Sequence, residues 1–415
     1  PVRWVYTPNP DCYLLKSDSL IVRVDLSTAS ITYLDKEGRL LLQEDQNIPR
    51  ISEKRVTKQV IYDEHSKHIE KTADGDKEIK NVLRYDIIGH TWKYRINFKW
   101  QPLEALYGWG AHMEDYMNLR GKELYLCQHN LKAMVPVLNS TAGYGLLFDA
   151  GCAMMFKDNS EGSFVELEAA KQIDYYFMKG KTMDAVVANY RLLTGNSPMM
   201  PLYLFGYIQS KERYVSSDDL INTLKEYRQR QIPIDMIVQD WNYWPEGQWG
   251  NMSMNPKFYP DKRKLADEIH SLHAKLMISI WPNAMNCPQH EEFKRKGWLL
   301  SGTSVYDAFN PLARKLYWNY ANNEFFGNGF DAWWCDASEP LDADWTFMKD
   351  GYGADNHRQR WELNTNLLNS VLGAERSQLY SLYHAKGIYE NQRSTNEDKR
   401  VVNLTRSSYA GQQRY

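Results

Sequence analysis

Gly329-Phe330-Asp331-Ala332-Trp333-Trp334-Cys335-Asp336-Ala337-Ser338-Glu339-Pro340 is an apolar, aromatic run that breaks abruptly into a loop carrying two carboxylates. Its first half reads as a buried strand and its second half as the loop at that strand's carboxyl end. An acid directly after two tryptophans, with Glu339 and a proline close behind, is poor core design. An ionised group is costly to bury unless it is paired or has a task. The stretch therefore predicts a strand that delivers Asp336 to a surface. Parallel β/α sheets gather their functional residues at strand carboxyl ends in this way.

The flanking sequence repeats the pattern. Upstream, Leu204 to Gln209 reads as a strand, followed by a helix capped at Ser216-Ser217-Asp218-Asp219 with Leu220, Ile221, Leu224 and Tyr227 on one face. Ile234 to Gln239 is a second strand ending at Asp240-Trp241, and Pro260-Asp261 opens a helix with Leu265, Ile269 and Leu272 inward. Leu276 to Ile280 ends at Trp281-Pro282, a short helix lies near Glu291 to Lys296, and Asn310-Pro311 starts a helix that stops at Gly327-Asn328-Gly329. Downstream, helical segments at Arg358 to Leu372 and Ser377 to His384 lead to a fifth strand, Arg400 to Leu404, ending at Thr405-Arg406-Ser407. A doubly wound sheet usually advertises a Gly-rich first turn, which Gln209-Ser210-Lys211-Glu212-Arg213 is not, so a (β/α)8 barrel is favoured. Five strands do not close such a barrel. An apolar edge at Val401 to Leu404 would invite aggregation, so the chain is expected to be a fragment or to be closed by a partner segment.

The first part of the chain is different. Leu20 to Leu26, Ser30 to Leu34, Glu53 to Tyr62, Val82 to Ile88 and Trp92 to Trp100 are short alternating runs cut by turn signals, with a hairpin tip or surface loop at Thr72-Ala73-Asp74-Gly75-Asp76. They predict an antiparallel β-sandwich. The glycines of Tyr107-Gly108-Trp109-Gly110 lack a phosphate-loop context and are expected to serve tight turns and close backbone approach. A helix near Thr182 to Thr194 closes this part. The fold class is thus all-β plus α/β, with a β-sandwich domain at 1–195 and an incomplete TIM-type barrel at 196–415. Two domains also suit 415 residues.

Composition excludes several classes of function. A net charge of -2 gives no general electrostatic attraction to nucleic acid or anionic membrane, and no apolar run is long enough to span a bilayer. Cys12, Cys127, Cys152, Cys287 and Cys335 are scattered, which points to neither a metal site nor a disulfide framework, and no cofactor motif is present. Aromatic residues reach 13%, and flat rings with polar edges suit sugar faces as well as cores. Compartment is not legible, and a homo-oligomer is compatible with the composition.

Strand-end residues collect Glu212 and Arg213, Asp240 and Trp241, Trp281, Asp336 and Glu339, and Arg406. Carboxylates, an arginine and tryptophans, without a metal-ligand or Ser-His-Asp cluster, suit glycoside chemistry with an oligosaccharide as partner. Residue type alone leaves structural roles open. Asp336 could cap a helix, Asp240 could pair with Arg213 or Lys211, Trp281 could plug a barrel, and Arg406 could neutralise a buried acid. His384, with no motif nearby, reads as a satisfied polar residue. A carbohydrate-binding protein without turnover is a second class of reading, and a nucleotide-dependent enzyme on an open sheet, a third, lacks its Gly-rich turn.

At these residues the chain resembles glycoside hydrolase family 31, the retaining α-glucosidase and α-xylosidase family. The resemblance rests on Asn118 to Gly121, Gly143 to Leu147, Gly206 to Ser210, Val238 to Trp241 with Tyr243 to Gly250, Ile278 to Pro282, Trp333 to Pro340, and Leu404 to Ser407 through Ala410 to Tyr415. It implies that Asp336 is the nucleophile, that Asp240 holds a distal sugar hydroxyl, that Trp281 lines the cleaving subsite, and that Arg406 bonds sugar and carboxylate. Glu339 is placed with the substrate-binding group. The motifs look most like α-xylosidases acting on xyloglucan-type oligosaccharides, an assignment that depends on Trp334 or Trp241 filling the space of the glucose CH2OH, and an α-glucosidase of the same family is the nearest rival. In the family, the general acid/base follows the Gly411-Gln412-Gln413-Arg414-Tyr415 segment. The resemblance thus places that acid beyond Tyr415 and implies that these 415 residues alone are impaired in hydrolysis.

Overall fold

The computed structural model describes residues 3–72, 75–341, 343 and 357–415. Among the described residues, the strands before residue 180 form an antiparallel sheet of ten strands, one of four made by Leu106–Ala111, Ala133–Ser140, Tyr144–Phe148 and Tyr175–Lys179, and a separate two-stranded hairpin. Along Ala133–Ser140 every second residue is buried, the signature of a sheet packed on one face. Leu106, Met134, Leu138 and Phe148 of the small sheet share a core with Leu42, Ile96, Phe98, Phe156 and Val165 of the large one. This is the sandwich expected. The two strands expected at Val82 to Ile88 and Trp92 to Trp100 are one 18-residue strand, Val82–Lys99, paired with Arg50–Tyr62. His68–Thr72 and Gly75–Ile79 pair as a hairpin, while the expected tip residues Ala73 and Asp74 lie outside the described residues. A Cβ on Gly110 would sit 2.0 Å from the Ala133 carbonyl, so close backbone approach does demand glycine there.

The second part is a parallel sheet of β1 (Ile208–Gln209), β2 (Met236–Gln239), β3 (Lys275–Ile280), β4 (Ala332–Cys335) and β5 (Asn403–Thr405). Their spatial order is the chain order, with no reversal. A doubly wound sheet requires a switch point, so the order favours the barrel arrangement. Among the described residues β1 and β5 do not pair, and the sheet stays open.

Helices α1 (Ser217–Gln229), α2 (Lys262–Ser271), α3 (Pro288–Arg295), α4 (Pro311–Glu324), α5 (His357–Leu372) and α6 (Tyr380–Thr395) accompany it. The Ser216, Asp261 and Asn310 side chains accept N–H groups of the first turns of α1, α2 and α4, as expected from their residue types. Leu220, Leu224, Leu265, Ile269, Tyr317 and Trp318 pack from these helices against Ile237, Ile278, Ile280, Trp333 and Cys335. Met236, Val238, Met277, Ala332 and Val402, with Trp334 against them, form a separate apolar layer on the other face.

Two boundaries differ from expectation. Leu202–Phe205 is a 3-10 turn after Pro201, leaving a first strand of two residues, because Leu202 and Phe205 are largely exposed and have no core to enter. The fifth strand begins at Asn403 rather than Arg400, and Val401 and Val402 are buried, so the exposed apolar edge reduces to Leu404.

Asp331, at the amino end of β4, is a structural acid. His270 Nε2 lies 2.7 Å away, Lys399 3.3 Å and Lys275 3.6 Å, and the Leu276 N–H donates to it. These partners hold its carboxyl below the usual range despite burial.

Candidate active site

Alternation along β4 sorts its residues. Trp333 points to the helices, where its Nε1 donates to Gln392 Oε1 at 2.7 Å, and Cys335 is fully buried on that side. Trp334 and then Asp336 fall on the helix-free face. The Asp336 N–H donates to the Ile280 carbonyl at 3.0 Å, extending the sheet by one residue. Ala337 follows with φ 48 and donates its N–H to Asp336 Oδ1, so the chain turns sharply and the carboxylate stays at the strand mouth.

Arg406, one residue past β5, reaches both acids of the β4 loop. Its Nη1 is 3.3 Å from Asp336 Oδ1, and its Nη2 pairs with Glu339 Oε1. Glu339 is 1% exposed, whereas the Asp336 side chain retains 16%, so Glu339 is the buried counter-charge and Asp336 the one that meets solvent. The structural role envisaged for Arg406, neutralising a buried acid, is present, and the same guanidinium also contacts Asp336.

Asp240 stands at the mouth of β2. Its Oδ1 accepts the Trp241 N–H at 2.8 Å. Burial, then the nearby charges of Asp336 and Glu212, push its carboxyl up to about 6, against the Trp241 N–H and the Ser279 hydroxyl, which lower it. The structural pairing considered for Asp240 is not seen. Lys211 lies 3.8 Å from Asp219, and the Arg213 guanidinium sits 5.8 Å over the Trp241 ring.

The sign of the Asp240 shift gives a stability prediction. The raised pKa means that ionisation costs folded-state stability as pH climbs from about 4 to about 6, and the cost persists above. Asp240→Asn is expected to raise Tm at pH 7 by the equivalent of about 1 kcal/mol after solvent screening, with no gain near pH 4. Calorimetry at the two pH values checks this.

Trp281, 5% exposed, follows β3 directly, one residue after the Ile280 that pairs with Cys335 and accepts the Asp336 N–H. It meets Trp249 edge-on at 5.1 Å between ring centroids, and Trp249 lies 5.5 Å from Trp241 and 5.3 Å from Trp244. Gly250 makes this possible. A Cβ there would fall 2.0 Å from the Asn283 carbonyl, and the glycine lets the Trp249 loop press onto the chain after Trp281. The buried Nε1 groups of Trp249 and Trp281 have no protein acceptor among the described residues. Trp334 is paired in register with Ser279 on β3 and Leu404 on β5, one step below Asp336. His384 is a buried core residue 2.7 Å from the Tyr306 hydroxyl, and burial lowers its pKa to about 3.

Sequence reasoning missed Trp249, Ser279, Ser338 and Ser407. Trp249 had a signal in the tryptophan-rich stretch after β2, and the serines lie inside the stretches Ile278 to Pro282, Trp333 to Pro340 and Leu404 to Ser407, where residue type did not set them apart. Among the described residues no three His, Cys, Asp or Glu side chains could hold a metal, and no helix is long and apolar enough to cross a membrane.

Barrel-ordered strands thus bring carboxylates, an arginine and an aromatic wall together at their carboxyl ends. Residues 197–415 match the TIM-barrel domain of glycosyl hydrolases family 31, and the chain belongs to that family. An α-xylosidase of Saccharolobus solfataricus is 35% identical over 78% of this chain and 44% of its own length. A family 31 glucosidase of Pseudescherichia vulneris is 30% identical over 79% of the chain and 61% of its own. The chain thus spans about half the length of these curated relatives. Among solved structures, the family 31 α-xylosidase from Xanthomonas citri superposes with a TM-score of 0.77 at 22% identity, covering 100% of this chain and 59% of that one. A soil-metagenome α-xylosidase complexed with xylose gives 0.77 at 24%, with the same coverage.

Proposed function

We propose that this chain is the β-sandwich (1–195) and the first part of the catalytic barrel (196–415) of a retaining α-xylosidase. Its substrate is a non-reducing-end α-xylose on a xyloglucan-type oligosaccharide. Asp336 attacks the anomeric carbon and forms a glycosyl-enzyme, and a second carboxylic acid protonates the leaving oxygen. Asp240 accepts a distal sugar hydroxyl, and Trp281 lines the cleaving subsite. Arg406 keeps Asp336 ionised, as a nucleophile requires. Trp334 and Trp241 occupy the space that a glucose CH2OH would need.

The observation that carries this reading is the Asp336–Arg406–Glu339 arrangement, in which one guanidinium neutralises a buried acid and still holds a solvent-reaching carboxylate. The named relatives add the choice of xylose, and the α-glucosidase reading remains the rival because one of them is a glucosidase. Hydrolysis of aryl α-xyloside and aryl α-glucoside by the full natural polypeptide decides between them. The xyloside is expected to be favoured in kcat/KM by about 10- to 200-fold, the range that one small group commands in a shaped pocket. Preference for the glucoside would overturn the xylose assignment. Binding of both without turnover would favour a carbohydrate-binding protein.

A further inference from the structure

The fork of Arg406 spans two residues of one loop, Asp336 and Glu339, and it can do so only if that loop and its own are held at a fixed separation. Between the two acids lies Ser338, and next to the arginine lies Ser407. Both serines are buried, at 0% and 1% exposure. Ser338 Oγ is 3.0 Å from Ser407 Oγ and accepts the Ser407 N–H at 3.2 Å. The loops are therefore laced twice, by the guanidinium on the pocket side and by the hydroxyl pair beneath it.

The Ser407 side of the lacing is itself anchored. Its carbonyl lies 2.7 Å from Ser381 Oγ, 2.8 Å from Thr405 Oγ1 and 3.1 Å from Gln412 Nε2. Gln412 Nε2 also lies 3.1 Å from Thr405 Oγ1, and Gln412 Oε1 lies 2.9 Å from Ser381 Oγ. One residue on, the Ser408 carbonyl accepts Gln128 Nε2 at 2.5 Å, and the Gln128 N–H donates to Gln378 Oε1 at 2.6 Å. Gln128 belongs to the β-sandwich and is 1% exposed, so the sandwich braces the loop that carries Arg406.

We infer that Ser338 and Ser407 are positioning residues for the reaction proposed above, on which this inference rests: their paired hydroxyls fix the Asp336 loop against the Arg406 loop, so that the guanidinium meets both carboxylates. A purely structural pair would behave differently. Replacing both hydroxyls by methyl groups leaves neither hydroxyl unsatisfied and orphans only the Ser407 N–H, a limited cost to stability. A device that sets geometry loses function regardless, since displacements of about 1 Å at a catalytic group cost up to about 100-fold in rate.

The test uses the full natural polypeptide carrying Ser338→Ala, Ser407→Ala and both together. The double variant is expected to fold with a modestly lowered Tm, because the Ser407 N–H loses its acceptor, and to keep the wild-type KM while kcat falls about 10- to 100-fold. The two single variants are expected to show the same fall in kcat as the double, and none of them should lower kcat further in an Arg406→Lys background. Ser381→Ala, which removes one anchor of the Ser407 carbonyl together with the Ser381–Gln412 contact, serves if the pair cannot be replaced, and should lower kcat in the same direction with KM unchanged. Wild-type kcat in a folded double variant, or additive losses from the two serines, would overturn the inference. If Asp336→Ala retained activity, the underlying catalytic reading would fail instead, whatever the serine variants do.

Discussion

Asp336→Ala in the full natural polypeptide is expected to lower kcat on aryl α-xyloside on the order of 10⁴- to 10⁶-fold, the scale seen when a covalent nucleophile is removed. The reason is local. Asp336 is the β4 carboxylate that falls on the helix-free face, stays partly open to solvent and is held by a guanidinium. The other acids near it are placed for different tasks. Glu339 is sealed from solvent, Asp240 has its carboxyl pushed up to about 6, and Asp331 is locked at the opposite end of the strand. The substitution should also lower the Asp240 pKa toward its ordinary value, because the Asp336 charge helps to raise it. Sugar binding should survive. Measured by NMR titration of Asp240 and by binding of xylose-bearing oligosaccharide, these two effects separate loss of a nucleophile from collapse of the pocket.

Arg406→Ala is the second large effect. It strips the guanidinium from Glu339, which is 1% exposed, and from Asp336 at once. Breaking one side of a buried ion pair typically destabilises by about 3–5 kcal/mol, because the remaining charge is left without compensation. Activity should fall about 10²- to 10³-fold from the loss of a preorganised charge at the reacting centre. Arg406→Lys should recover only part, since a point charge cannot span two carboxylates as a planar fork does. The pairing of effects can be dissected with Arg406→Ala/Glu339→Gln. Neutralising the orphaned acid should restore much of the stability, read by denaturant unfolding, and little of the activity. If stability and activity recover together, Arg406 acts on the fold rather than on Asp336.

Much of this arrangement is legible in the sequence, for identifiable reasons. Ser216, Asp261 and Asn310-Pro311 mark helix starts because capping is a local interaction. Asp240, Trp281, Asp336 and Arg406 stand out because polar or aromatic residues directly after apolar strands have few structural uses. What sequence did not yield is set by tertiary partners. Two adjacent tryptophans, Trp333 and Trp334, look alike in the chain and lie on opposite faces of the sheet, one bonded to Gln392 and the other packed against Met236, Val238 and Met277. Asp331 and Asp336 flank the same strand, and only their surroundings show that the first is a structural acid. The Ser338–Ser407 contact joins residues 69 apart, and nothing in either serine's neighbourhood marks it. The first strand shrank because its predicted start meets no core, which hydrophobic patterning cannot foresee.

The most direct measurement of the central claim is covalent trapping. The full natural polypeptide is incubated with an activated fluoro-xyloside, which slows release of the glycosyl-enzyme, then digested and mapped by mass spectrometry. The account predicts one added sugar per chain, on the peptide containing Asp336, with time-dependent loss of activity and no label in Asp336→Ala. A label on another carboxylate, or an active enzyme that never forms a labelled species, would contradict it.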